Sequence, residues 1–192
     1  MMSILSGKID QIILETKRMW LLEANPEIYE FIFTNCTDRE IMVFFGLNDA
    51  GQLETERDKY EKGMTTYRMS FKSFLLMEKT TELIIGRSGF HNWYGIHNRA
   101  ELGYAITNNL FLRQGYMLEA VKTIVDYGFR QMHLHRVEAF TSPTNIASRT
   151  ILSRLGFKEE GIKREDWLID GEYDDSVCYG LLNREYFESN PL

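Results

Sequence analysis

Apolar and polar positions follow two rhythms along this chain, and each change of rhythm marks an element. Ile12 to Leu22 reads as a first strand. Pro26 stands where a proline suits the first helical position, and opens a helix to about Asn35. Asp38 to Gly46 and Leu53 to Gly63 follow as further helices. Ser70 to Glu78 and Glu82 to Asn92 are β-rich runs joined by a turn at Lys79, Thr80 and Thr81. A short strand from Glu101 carries Leu102, Tyr104 and Ile106 and stops at Asn108 and Asn109. The helix predicted over Tyr116 to Met132 places Leu118, Val121, Val125 and either Ile124 or Tyr127 near one face. Val137 to Thr141 is a strand broken by Pro143 and Asn145. Ile146 to Leu155 is then a helix with Ile151, Leu152 and Leu155 inward, and Gly156 is a fitting stop. Lys158 to Leu168 and Tyr173 to Leu182 close the chain as a hairpin turning at Asp170-Gly171. The fold class is α+β, with mainly antiparallel strands and helices on both faces.

Composition fits one domain over residues 1–192: hydrophobic residues make up 44%, and three prolines leave no linker. A formal charge of −6 argues against nonspecific nucleic-acid binding, which needs basic surface. Glu54, Glu56, Asp58 and Glu61 read as a solvated helix face. Cys36 and Cys178 lie far apart without a CxxC and read as buried apolar residues of a reducing compartment. Lys8 and Asp10 make the start too charged for a signal peptide, and no apolar run reaches membrane-span length. A cytoplasmic protein with no membrane partner is expected.

The first candidate chemistry lies between Ala100 and Ala120, a strand, a glycine-bearing turn and a helix start. Such a junction leaves main-chain N–H groups without partners, and with the helix dipole they seat a phosphate or pyrophosphate. Gly115 stands where a side chain would obstruct an approaching anion. A plain tight turn is the bland reading, and the absence of a Walker lysine or a GxGxxG weighs against nucleotide-triphosphate and dinucleotide sites.

A second segment makes the pattern specific. Asn145-x-x-Ser148, Leu155-Gly156-Phe157 and Glu160-Gly161 resemble the cofactor half of a GNAT-superfamily N-acetyltransferase. Arg164-x-x-Trp167, Gly171-x-Tyr173-Asp174 and Tyr179-x-Leu181-Leu182 are similar to its RimJ/RimL-type branch, which acetylates ribosomal-protein N-termini and related amines. Leu14-Glu15-Thr16-x-Arg18 resembles that branch's first strand. The resemblance implies the GNAT fold: six to seven strands, with the Glu101 and Val137 strands parallel and splayed into a wedge for acetyl-coenzyme A.

It also implies roles. The superfamily's pyrophosphate loop, Q/R-x-x-G-x-G/A, falls on Leu112, Arg113, Gln114, Gly115, Tyr116 and Met117, with Leu112 and Met117 departing from the pattern. Arg113 either contacts a phosphate or is a solvated surface arginine. Tyr104, Ala105 and Ile106 offer backbone groups to the pantetheine amides. Asn145 and Ser148 reach the pantetheine and sulfur, or simply cap their helix. Leu152 stands where many relatives carry a tyrosine acid, which leaves Ser148, a water or another residue to protonate the leaving thiolate.

Glu101 is the first candidate for the base that removes a proton from the attacking amine, and an exposed strand-end glutamate is its bland alternative. Glu138 is the runner-up, more suited to pairing with an arginine. His133 and His135 form a two-imidazole pair on one strand face with no third ligand by spacing, so no metal is expected. His91, Asn92, Trp93, Tyr94 and Gly95 form an aromatic, turn-rich segment fit to wall an acceptor cleft, with His91 and His97 flanking it. Trp167, Tyr173 and Asp174 belong to the last hairpin, which covers that cleft in the family, although such aromatics equally suit a dimer contact. Monomer and homodimer both stay open. The implied activity is direct transfer from acetyl-CoA to a primary amine, first a protein N-terminus. A small amine (polyamine, amino acid or aminoglycoside) and a non-catalytic acyl-CoA-binding module are the alternatives.

Overall fold

The computed structural model describes residues 13–62 and 70–191. Contacts group the chain into two compact units, Met1–His91 with Gly103–Ile124, and Asn92–Leu102 with Val125–Leu192. Among the described residues eight strands, rather than the six to seven expected, follow the hydrogen-bonded order β1 (Ile13–Glu15), β2 (Met19–Glu23), β3 (Ser70–Glu78), β4 (Ile84–Tyr94), β5 (Arg99–Ile106), β6 (Arg136–Thr141), β8 (Glu172–Leu182), β7 (Lys158–Ile169).

In the first unit the expected opening strand is two strands, β1 (Ile13–Glu15) and β2 (Met19–Glu23), paired antiparallel. Met19 N–H donates to the hydroxyl of Thr16 at 2.9 Å and Thr16 N–H donates to Met19 C=O at 3.0 Å, which closes the turn between them. Ile12 and Gly63, the outer ends of two expected elements, lie outside the described residues, as do Lys8 and Asp10. Helices α1 (Pro26–Asn35), α2 (Asp38–Phe45) and α3 (Ala50–Glu61) follow, capped at their N-termini by Asn25, Thr37 and Asp49. Strand β3 (Ser70–Glu78) pairs antiparallel with β2. The Glu78 carboxylate accepts from Thr80 N–H, Thr81 N–H and the Thr81 hydroxyl, shaping the next turn. Glu82 has φ +54°, so β4 begins later than expected and covers Ile84–Tyr94. Leu22, Ile28, Ile32, Phe44, Phe45, Leu75, Met77 and Ile84 make the core of this unit.

Glu56 departs from the solvated face expected of it: it is only 3% exposed. Its carboxylate takes hydrogen bonds from Tyr29 Oη at 2.7 Å, Lys59 Nζ at 2.7 Å and Arg87 Nη1 at 2.9 Å. Burial alone would raise its pKa, but the Arg87 charge and these hydrogen bonds outweigh that and lower it. A carboxylate with a depressed folded-state pKa stabilises above its unfolded value and loses that contribution as pH falls through the folded one. Glu56→Gln is expected to cost about 3 kcal/mol at neutral pH. The gap to the wild type in denaturant midpoint should shrink as pH drops below about 4. A constant gap from pH 7 to pH 3 would contradict the ion-pair account.

Strand β5 (Arg99–Ile106) is shared, its first half in the second unit and the remainder in the first. Helix α4 (Tyr116–Arg130) is divided likewise after Ile124. Its buried stripe is Met117, Ala120, Val121, Ile124, Val125 and Phe129; of the expected face Val121 and Val125 are buried, Ile124 rather than Tyr127 completes it, and Leu118 is half-buried.

In the second unit β6 (Arg136–Thr141) runs parallel to β5, as expected, with Arg99, Ala100 and Glu101 opposite Arg136, Val137 and Glu138. Helix α5 (Ile146–Arg154) buries Leu152, while Ile151 and Leu155 stay half-buried. Strands β7 (Lys158–Ile169) and β8 (Glu172–Leu182) form the expected hairpin, and β8 also pairs antiparallel with β6. Asp170 and Gly171 both have positive φ, +52° and +86°, the two-residue hairpin turn that the Asp-Gly pair predicts. Helix α6 (Asn183–Ser189) ends the chain, with Tyr186 stacked on Phe129 of α4. Cys36 and Cys178 are free thiols, half-buried rather than buried. No helix among the described residues is long and apolar enough to cross a membrane.

Candidate functional site

Candidate residues occur in both units. In the first, Asn108 caps a 3-10 turn (Asn109–Phe111) by accepting from Leu110 N–H at 3.0 Å, and the chain then runs exposed through Leu112, Arg113, Gln114 and Gly115 into α4. Gly115 has φ +80°, a conformation costly to any residue with a Cβ. A Cβ built there would meet only Arg18 Nη2, at 3.7 Å, so backbone conformation rather than lack of space calls for glycine.

The first α4 amide held by the chain itself is Glu119 N–H, which Gly115 C=O accepts at 3.2 Å. Among the described residues nothing accepts from the N–H groups of Tyr116, Met117 or Leu118. Three unengaged donors at a helix N-terminus, beside an exposed glycine, suit the oxygens of a diphosphate. Met117 departs from the family's small residue, yet it is 8% exposed and packs in the core stripe of α4. Its side chain faces away from solvent, so its amide is left clear.

Arg18, absent from the sequence-based site, adjoins this turn. Its main-chain N–H and Nε reach the two oxygens of Glu119 at 2.8 and 2.7 Å, and Nη1 donates to Gln114 C=O at 3.0 Å. The guanidinium lies 3.9 Å from the centre of the Tyr116 ring. Burial would raise the Glu119 pKa, but hydrogen bonds from Thr16 and Arg18, with the Arg18 charge, hold it below the usual carboxylate value. The ETxR pattern is the one sequence signal that touches Arg18. Tyr104, Ala105 and Ile106 occupy the end of β5, with Ala105 exposed and the other two half-buried.

In the second unit Asn145 is the N-cap of α5: its Oδ1 accepts from Ser148 N–H at 3.0 Å. The capping geometry is therefore present, and it brings the two side chains to the same first turn. Leu152 is fully buried, so the position that holds a tyrosine in many relatives here serves the core.

Glu101 is half-buried on β5, and Asn92 Nδ2 donates to its Oε2 at 2.8 Å. Opposite it, Glu138 accepts from Arg99 Nη1 at 2.6 Å and from Arg136 Nε at 3.3 Å. The runner-up thus has the arginine partners expected of it, and both of its oxygens are engaged. His133 and His135 precede β6, and His133 has φ +54°, so they do not share the strand face anticipated for them.

His91 to Tyr94 is the end of β4 rather than a turn-rich loop, with Trp93 half-buried. His97 lies in the exposed 3-10 turn Gly95–His97. Trp167 faces Asp174 across the hairpin and Leu168 faces Tyr173. Trp167 and Tyr173 are exposed, and Asp174 lines a surface cavity of about 490 Å³ with Ile169, Asp170, Glu172 and Tyr173.

A model of the GNAT acetyltransferase domain matches residues 18–158. The chain belongs to the GNAT acetyltransferase family. It is an N-acetyltransferase by that membership. An uncharacterised N-acetyltransferase of Bacillus licheniformis is 29% identical over 174 residues, 90% of this chain and 97% of the relative. The ribosomal protein uS5 alanine N-acetyltransferase of Escherichia coli is 34% identical over 114 residues, 59% of this GNAT chain and 58% of its own. A spermidine N-acetyltransferase structure from Vibrio cholerae superposes with TM-score 0.69 at 21% identity, covering 90% of this chain and 98% of that one, which supports the fold.

Proposed function

We propose that this GNAT enzyme takes its acetyl group from acetyl-CoA and transfers it to a protein N-terminal α-amine. The observation that carries the donor half is the set of unengaged amides at Tyr116, Met117 and Leu118 beside Gly115. These residues would hold the coenzyme's diphosphate, and Tyr104 to Ile106 would offer main-chain groups to its pantetheine arm. The bound thioester supplies an activated acetyl carbon. Glu101 accepts the proton that the ammonium must lose before its nitrogen can attack. As the amide forms its nitrogen loses a second proton, which the Ser148 hydroxyl relays to the departing thiolate; the thiolate needs little help because a free thiol has a pKa of about 8.5. The carbon–nitrogen bond forms as the carbon–sulfur bond breaks, without an acyl-enzyme.

The acceptor half rests on the relative that acetylates ribosomal protein uS5 alanine. Trp93, Trp167, Tyr173 and Asp174 would contact the acceptor, Asp174 facing its ammonium. Incubating the enzyme with labelled acetyl-CoA and a cell extract is expected to label protein N-termini. Label found on polyamines or amino acids, with none on protein, would replace this acceptor by a small amine.

A further inference from the structure

We infer that Arg18 is a positioning residue for the donor's diphosphate, and this rests on the donor half of the reading above. Glu119 lies in the first turn of α4, where a carboxylate suits the helix dipole but would repel an anion seated at the same N-terminus. Arg18 removes that conflict. Its main-chain N–H and Nε engage both carboxylate oxygens, and Nη1 fixes the Gln114 carbonyl immediately before Gly115. Tyr116 supports the guanidinium plane from one face.

The remaining nitrogen, Nη2, has no acceptor among the described residues and lies 3.7 Å from where a Gly115 Cβ would stand. The side chain keeps 34% of its surface exposed. One arginine thus neutralises the helix-start carboxylate, orders the turn and presents N–H donors beside the free amides. The planar fork makes this possible, and a lysine ammonium lacks the geometry.

The test uses the full chain, calorimetry with coenzyme A, and turnover with acetyl-CoA against S-acetylpantetheine, which lacks the diphosphate. Arg18→Met is expected to weaken coenzyme A binding about ten- to hundredfold. The acetyl-CoA to acetylpantetheine ratio of kcat/KM should fall with it, kcat at saturating acetyl-CoA should hold, and the salt dependence of binding should flatten. Arg18→Lys, which keeps the charge, is expected to recover only part of the affinity, and it serves as the test variant if Arg18→Met does not fold. Equal losses with both donors, or a lowered Tm with unchanged coenzyme A affinity, would overturn the assignment. A wild-type chain that binds no coenzyme A would end the donor reading itself, and this inference with it.

Discussion

Replacing Gly115 by valine is expected to weaken coenzyme A binding by at least about thirtyfold, because the turn can no longer hold φ near +80°. An L-residue in the left-handed region costs about 1–2 kcal/mol, and a β-branched one costs more. Relaxing that strain turns the peptide planes of the following residues, so the amides of Tyr116, Met117 and Leu118 cease to converge. Either the variant stays strained to bind the diphosphate or it relaxes and loses the donors.

Because a Cβ at this site meets only Arg18 Nη2 at an ordinary 3.7 Å, bulk alone is not the obstacle. The affinity order is therefore glycine, asparagine, alanine, valine, since asparagine visits the left-handed region most readily of the three replacements. Steric obstruction of the anion would instead put alanine ahead of asparagine. Calorimetry on the four proteins separates the two accounts, and Gly115→Val with wild-type affinity would remove the anion seat altogether.

What could be read from the sequence was local. The Asp170-Gly171 turn needs two adjacent residues that tolerate positive φ, and both adopt it. Asn145 and Ser148 sit at helix-cap spacing, and one hydrogen bond joins them. The α4 helix starts where the glycine predicts, and its expected face buries Val121, Val125 and, of the two alternatives, Ile124 rather than Tyr127, while Leu118 is half-buried. The true stripe from Met117 through Ala120, Val121, Ile124 and Val125 explains why the family's small residue can be methionine here.

Features built from distant residues were not legible. Arg18 meets Glu119 across 101 positions, and no periodicity links a turn between the first two strands to the start of α4. In the sequence Glu56 is one more acid on a polar helix; only the tertiary fold brings Tyr29 and Arg87 to it and makes burial tolerable. The expected first strand is two strands for a local reason. Apolar residues flank the polar stretch Glu15-Thr16-Lys17-Arg18, and the break falls there, at a turn that the Thr16 hydroxyl closes by accepting from Met19 N–H. His133 and His135 alternate as a strand would, but the backbone turns at His133 before β6 begins.

Glu101→Gln is expected to lower kcat about 10²- to 10⁴-fold while leaving coenzyme A affinity unchanged. Two carboxylates face each other in the β5–β6 register, and their partners differ. Glu138 gives one oxygen to Arg99 and the other to Arg136, so a proton arriving there must displace a guanidinium hydrogen bond. Glu101 has the neutral amide of Asn92 among its partners. Glutamine keeps an acceptor for that amide and the side-chain volume but cannot take a proton, which separates chemistry from packing. The pH profile gives the sharper reading. A protein α-amine has a pKa near about 7.7–8.0, so below neutrality nearly every acceptor is an ammonium and the base matters most. Above about pH 9 the acceptor is already neutral, and the variant's deficit should narrow. An unchanged kcat, or a deficit that stays constant from pH 6 to pH 10, would remove Glu101 from proton transfer.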